Sequence, residues 1–365
     1  MQVYLGEDVL TAARKRIESI FESFENIVVN VSGGKDSTVL AHLVLSQAQK
    51  LNRKVTVFFL DEEVVYQSTI DQIEYLLFEM IPEVTIPVWW QIELNLSNGT
   101  SLTSGRCVCW QEGAEWLRPK DERAVHTYPY KDKPMRNKQH GFGILDALKS
   151  FNDHHSDTCF FIGLRADENI TRFRAVSRHA GYKNWLWTTA QKHGNILAYP
   201  LYDWRFSDVW KYIADNNLTY NKIYDYMWFK GLNVGEFRIS NLIHAKACRS
   251  LVELPEFEPD TCNKVANKIA SVEAGNLYGK EKLGFRVQQL PKNFGSWLEY
   301  RNFLLLTYPD REKVKIFVER FSEQASDENA ARQQCRQLIL NDIKNRFPTK
   351  PNRKERVVER WKNLL

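Results

Sequence analysis

Paired cysteines are missing from this chain. Its 365 residues include six cysteines, and none falls into the C-x-x-C spacing of a zinc ribbon or a redox pair. No apolar run is long enough to cross a bilayer, and the N-terminus carries no cleavable signal. Together these absences predict a soluble protein of a reducing compartment, read as cytoplasmic, with no membrane association. A chain of this length buries a full core without covalent staples. The sequence has no internal repeat and no low-complexity tract, and it lacks both the Walker A pattern G-x-x-x-x-G-K-[ST] and the dinucleotide pattern G-x-G-x-x-G. His154 and His155 near Cys159 have no second cysteine pair to complete a zinc site.

A strong charge of one sign is absent too. Fifty Lys and Arg stand against 45 Asp and Glu, a net of +5. That excess is concentrated: residues 118–141 carry seven Lys/Arg against three Asp/Glu, and residues 350–365 carry six against two. Two basic segments therefore sit on a mildly acidic body. They read either as solvated surface or as phosphate contacts with a nucleic acid. Trp89, Trp90, Trp110 and Trp116, near the first segment, read either as a base-stacking surface or as core.

What is present alternates in period. Leu10, Ala13, Ile17, Ile20, Phe21 and Phe24 repeat at helical spacing, "NIVVNVS" is a β-branched run, and 37–51 is helical again. "VTVFFLD" reads as a strand, 66–80 as a helix and "TIPVWWQIEL" as a strand, with further strands at "CFFIGL" and "NILAYPLY". Alternation of this kind predicts an α/β fold, a parallel twisted sheet with helices on both faces. Helices are expected at 208–217 and 222–230. Beyond about Thr261 strand signals fade and helical stretches such as "SWLEYRNFLLLTY" take over, with a break near Gly275 to Pro291, and a nucleotide-binding domain over 1–250 and a mainly helical region over 251–365 are expected.

Between the first strand and its helix lies "VNVSGGKDSTVLAHLVL". Backbone N–H groups there, with the helix N-terminus, make a concave anion site that glycines allow a phosphate to approach. Lys35 adds charge, and Ser32 and Ser37 add hydroxyl donors. The run Ser32-Gly33-Gly34-Lys35-Asp36-Ser37 resembles the SGGxDS signature of the PP-loop ATP-pyrophosphatase superfamily. "GLRADENITR", Gly163 to Arg172, is similar to the G-x-R-x-x-E-S-x-x-R segment of phosphoadenosine phosphosulfate (PAPS) reductases and their relatives, with Asn169 where Ser is usual. "YPLYDWRFSDVWKYI" matches the same family's P-L-x-D-W-x-x-x-D-V-W-x-Y-I run, and "NKIYDYMWFKGLNVGEFRIS" resembles its N-x-x-Y-D segment.

The resemblance implies an adenine nucleotide alpha hydrolase-like fold, with ATP or a PAPS-like nucleotide bound by Ser32 through Ser37 together with Gly163, Arg165 and Arg172. ATP users of this superfamily cleave between the α- and β-phosphates and adenylate an acceptor. Lys35, Asp61 and Glu168 are then the candidate catalytic residues. Asp61, at the end of the second strand, is placed to hold Mg²⁺ or a ribose hydroxyl. Arg165 and Arg172 would neutralise phosphate or sulfate, and Glu168 would orient one of them or the metal. Trp204 and Trp210 read as core, and Asp203 and Asp208 as helix-capping material.

One family feature is missing. Reductases of this family carry a C-terminal E-C-G-x-H segment, whereas the last cysteine here, Cys335, lies in "RQQCRQLIL". Nor do Cys107, Cys109, Cys248 and Cys262 have the spacing of the iron–sulfur relatives, so a cluster built from these four is the minor alternative. The chain resembles the stand-alone branch, including members in mobile elements, some encoded beside ParB-like partners. Three readings follow: an ATP-dependent adenylating enzyme, a sulfonucleotide reductase, and a nucleotide-gated regulatory protein acting with DNA or a ParB-like partner. A homo-oligomer is left open.

Overall fold

The computed structural model describes residues 6–100, 105–131, 141–168, 170–177, 181–233, 237, 239, 241–244, 251, 253–269, 290–291, 293–339, 342–343 and 345. Chain contacts divide it into two compact units, one of residues 1–98 and 106–276, the other of 99–105 and 277–365.

The larger unit is built on a six-stranded sheet. Helix α1 (Val9–Ser23) opens with Asp8 accepting from the Leu10 and Thr11 amides and buries Ala13, Ile17, Ile20 and Phe21 along one face. Strand β1 (Asn26–Asn30) leads into α2 (Lys35–Lys50), and β2 (Val55–Leu60) into α3 (Gln67–Glu74), which ends in a π turn at Tyr75–Glu79. Then come β3 (Thr85–Trp90), the two-stranded antiparallel ribbon β4 (Leu94–Ser97) and β5 (Arg106–Cys109), and α4 (Ile144–Asp153). Strand β6 (Thr158–Ile162) precedes α5 (Ile170–Ser177), and β7 (Thr188–Ala190) and β8 (Ile196–Ala198) precede α6 (Phe206–Asp215) and α7 (Ile223–Phe229). Short helices α8 (Leu254–Phe257) and α9 (Pro259–Lys268) follow.

The strand order is β3-β2-β1-β6-β8-β7. Five strands are parallel, and β7 adds an antiparallel edge by pairing Thr188 with Ala198. Alternate residues of the central strands feed two cores, one on each face. Ile27, Val29, Val57, Phe59 and Phe161 pack under α1, α2 and α6, while Val28, Phe58, Leu60 and Phe160 pack with residues of α4, α7, α8 and α9. The expected α/β sheet covered on both faces is present; the antiparallel edge and the ribbon were not anticipated. The "TIPVWWQIEL" run divides into β3 and β4, and Val125 pairs beside the end of β3, its N–H bonding Trp89 O and its carbonyl accepting from Gln91 N.

The division between the units falls at residue 276. Leu251, Leu254, Phe257, Cys262, Val265 and Ile269 belong to the core on the α4 and α7 face, so this segment belongs to the larger unit. In the smaller unit α10 (Trp297–Thr307), α11 (Arg311–Phe321) and α12 (Glu328–Ile339) enclose Phe317, Phe321 and Leu338. Buried Arg301 holds it from within, donating to Ala325 O at 2.7 Å and Gln334 Oε1 at 2.8 Å.

Candidate nucleotide site

Strands β2 and β3 lie on one side of β1 and β6 on the other, so the chain reverses its progress across the sheet between β1 and β6. In open α/β sheets the crevice for ligands lies at such a point, outside the carboxyl ends of the strands. The loops after β1 and β6 meet here.

The loop after β1 turns at Gly33 with φ +71°, and a Cβ there would lie 2.9 Å from Thr69 Cγ2. Gly34 is the N-cap of α2 and offers no side chain to its first amides. Ser37 Oγ donates to Gly34 O at 2.9 Å and accepts from Ser32 N at 3.2 Å, which closes the turn. Lys35 is buried, with Nζ 2.9 Å from Asp36 Oδ2 and 5.5 and 5.4 Å from the centres of the Phe206 and Tyr224 rings. The Lys35 amide points at the Tyr224 hydroxyl, 3.4 Å away. Burial, reinforced by the charge of Asp36, pushes the Tyr224 phenol up, so it remains a protonated donor.

The loop after β6 approaches from the other side. A Cβ on Gly163 would lie 3.0 Å from both Asp36 C and Ser37 N, so only glycine lets the two loops pack this closely. Buried Arg165 places Nε 2.6 Å from Asp36 Oδ1 and pairs with Asp167 at 2.8 Å. Glu168 lies 3.9 Å from Arg165 and 2.8 Å from Arg172 Nε.

These groups surround a cleft of about 720 Å³, within the range of small-ligand sites. Of the residues expected from the sequence, Ser32, Gly34, Lys35, Asp36 and Ser37 line it, as do Gly163, Arg165, Glu168 and Arg172. Gly33 serves the turn and lies outside the lining. Asp61 does not line the cleft either, and this corrects its assignment as a magnesium or ribose ligand. Its carboxylate is fully buried and accepts from Glu63 N, Arg118, Trp89 Nε1 and Gln91 Nε2, which leaves no lone pair directed at a ligand. Glu62 takes its place at the cleft wall, with burial pushing its carboxyl up to about 7. Phe206, Tyr224, Phe237, Ile239, Asn241 and His244 complete that wall. Tyr224 lies within the motif already quoted, whereas Glu62 was hidden between two other acidic residues, Asp61 and Glu63.

The "PLYDW" motif is structural. Asp203 forms a two-pronged ion pair with Arg16 at 2.8 and 2.6 Å, Trp204 is buried and donates to Val9 O, and Asp208 accepts from the Arg205 amide at the head of α6. Trp89, Trp90 and Trp110 are core side chains. In the first basic segment Arg118 is committed to Asp61 and Arg123 to Asp121 and Glu74; residues 132–140 and the second basic segment lie outside the described residues. Cys248 lies outside them as well. Among the described residues no cluster of His, Cys, Asp and Glu is suited to a metal ion, and no cysteine lines the cleft. Burial pushes the Cys335 thiol up to about 12. No helix of the described residues is long and apolar enough to cross a membrane.

A family model for the phosphoadenosine phosphosulfate reductase domain matches residues 26–93 and 113–238. A second model, for a domain of unknown function, matches residues 231–329. Among curated proteins, the uncharacterized protein YbdN of Escherichia coli is 27% identical across 99% of this chain and 97% of its own length. Adenosine 5'-phosphosulfate reductase of Oceanobacillus iheyensis is 25% identical, covering 61% of this chain and 76% of its own. Among solved structures, PAPS reductase from Candida auris in a phosphate complex aligns at 13% identity over 62% of this chain and 93% of its own, with a TM-score of 0.35, too low to carry weight.

Proposed function

We propose, for a chain that belongs to the phosphoadenosine phosphosulfate reductase domain family, that the cleft binds ATP or a related adenine nucleotide, cleaves it between the α- and β-phosphates and passes the adenylate to an acceptor. The observation that carries this reading is the convergence of the uncapped α2 N-terminus and Lys35 with Arg165 and Arg172 across one cleft. Loop amides and Lys35 take up the charge that grows on the departing pyrophosphate. Arg165 and Arg172 are held in place by Asp36, Asp167 and Glu168, and exchange part of that pairing for phosphate oxygens when nucleotide enters. The residues do not fit a resident magnesium ion, since Asp61 has no free acceptor and Glu168 is shared between two arginines; no step here depends on one.

Sulfonucleotide reduction is disfavoured by the absence of a described cysteine in the cleft and by the raised Cys335 thiol, since reduction needs a thiolate at the substrate sulfur. Partnership with DNA or a ParB-like protein, and membership of the stand-alone branch, rest on the sequence alone. The test is product analysis of radiolabelled ATP with Mg²⁺, wild type against Lys35→Ala. AMP and pyrophosphate are expected, falling by about 10²-fold or more in the variant. ADP and phosphate, or tight binding without turnover, would overturn the reading in favour of a nucleotide-gated regulator.

A further inference from the structure

Three acidic residues in a row, Asp61-Glu62-Glu63, follow β2, and the fold treats them differently. Asp61 is filled by its four donors. Glu63, in the left-handed region at φ +61° and fully buried, accepts from Trp110 N, Leu117 N and Lys268 Nζ. Both outer carboxylates thus anchor the segments carrying Trp110, Leu117, Arg118 and Lys268 to the end of the sheet. The middle one alone lines the cleft, and the Asn241 amide beside it donates to its backbone carbonyl, Glu62 O, at 3.4 Å.

We infer that Glu62 is the general base of the adenylyl transfer, and that the acceptor is therefore a nucleophile with a proton to lose, a hydroxyl, an amine or water, rather than a carboxylate. The inference rests on the function proposed above. In the step, the acceptor's oxygen or nitrogen bonds to the α-phosphorus, the bond from that phosphorus to the α,β-bridging oxygen breaks, pyrophosphate leaves with the bond pair, and the acceptor's proton passes to the Glu62 carboxylate. No oxidant or reductant is required. A carboxyl with a midpoint near 7 is matched to this work at neutral pH. The charged groups around it leave it so. Asp61 beside it raises it, though Arg118 answers that charge, and Glu63 is answered by Lys268. Lys35 and Arg165 are engaged by Asp36, and Arg172 by Glu168; Tyr224 and His244 share the wall.

The experiment uses the full chain with ATP and Mg²⁺ in ¹⁸O-water, following label in AMP, with nucleotide affinity and melting temperature measured alongside for wild type and Glu62→Gln. Wild type should incorporate label at a rate that rises with pH through about 7. Glu62→Gln should lose about 10²- to 10⁴-fold in rate and the pH-dependent arm, with nucleotide affinity kept within about threefold. A second readout needs no turnover. The native carboxyl holds its proton up to about 7 and the unfolded one only to about 4.5, so wild-type stability should fall between those pH values and Glu62→Gln should melt progressively higher than wild type as pH rises through that window. A variant that keeps both rate and pH arm overturns the base and leaves the adenylyl reading standing. A melting difference that grows with pH while wild type makes no AMP overturns the adenylyl reading and, with it, the base.

Discussion

At the scale of single residues, the site is decided by which polar atoms already have partners. Asp61 stands at a strand end where ligands are usually held, and its type and position pointed to a metal. Counting donors removes it: two indole and amide donors, a backbone amide and an arginine use both oxygens. Asp61→Ala should therefore act on the fold, leaving Arg118 buried without its partner. Urea unfolding should show a loss of about 3–5 kcal/mol, the usual cost of breaking a buried ion pair from one side. A variant as stable as wild type would return Asp61 to the list of ligands. The six-residue loop was legible as a strand-to-helix turn from its glycines, serines and lysine, and five of its six residues line the cleft. Glu62 was not, because nothing local in "DEE" says which carboxylates the distant Trp110, Leu117 and Lys268 will consume.

At the scale of elements, long periodic segments read correctly, as did the short β8 and α7, while β7 and the β4–β5 ribbon did not. α2, with ten buried positions, and β1, β2 and β6, with near-continuous apolar runs, announce themselves through burial on one or two faces. The three-residue β7 and the β4–β5 ribbon owe their existence to partners elsewhere, β7 pairing with β8 and β4 with β5. α8 and α9 show a related limit, since helical pattern says nothing about which core a helix will join. The contact most sensitive to one atom joins two elements, at the point where the loop after β6 touches the head of α2. Gly163→Ala would force a methyl to within 3.0 Å of the Asp36 and Ser37 backbone, which has no flexible end to yield. We expect a loss of about 1–3 kcal/mol in stability, as for other overpacked sites. Nucleotide affinity should fall by at least tenfold, because Arg165 and the α2 amides move apart; isothermal titration with a non-hydrolysable ATP analogue would detect it. Unchanged affinity would mean that the two loops do not act on the ligand together.

At the scale of the molecule, the two units have separate interiors, the larger with cores on both faces of its sheet and the smaller with Phe317, Phe321 and Leu338 between its helices. Separate cores need not melt together, and a chain of this kind is a candidate for departure from two-state unfolding. Every described residue lining the nucleotide cleft belongs to the larger unit. A ligand stabilises only the cooperative unit that binds it, by RT ln(1 + [L]/Kd), about 2.7 kcal/mol at a hundred times Kd. Calorimetry of the full chain should therefore resolve two transitions, and a non-hydrolysable ATP analogue should raise one of them and leave the other unchanged. Lys35→Ala should abolish that shift without moving the second transition. If both transitions rise together, or if only one is seen at every ligand concentration, the helical unit is energetically coupled to the nucleotide domain, and binding in the cleft would reach it through that coupling.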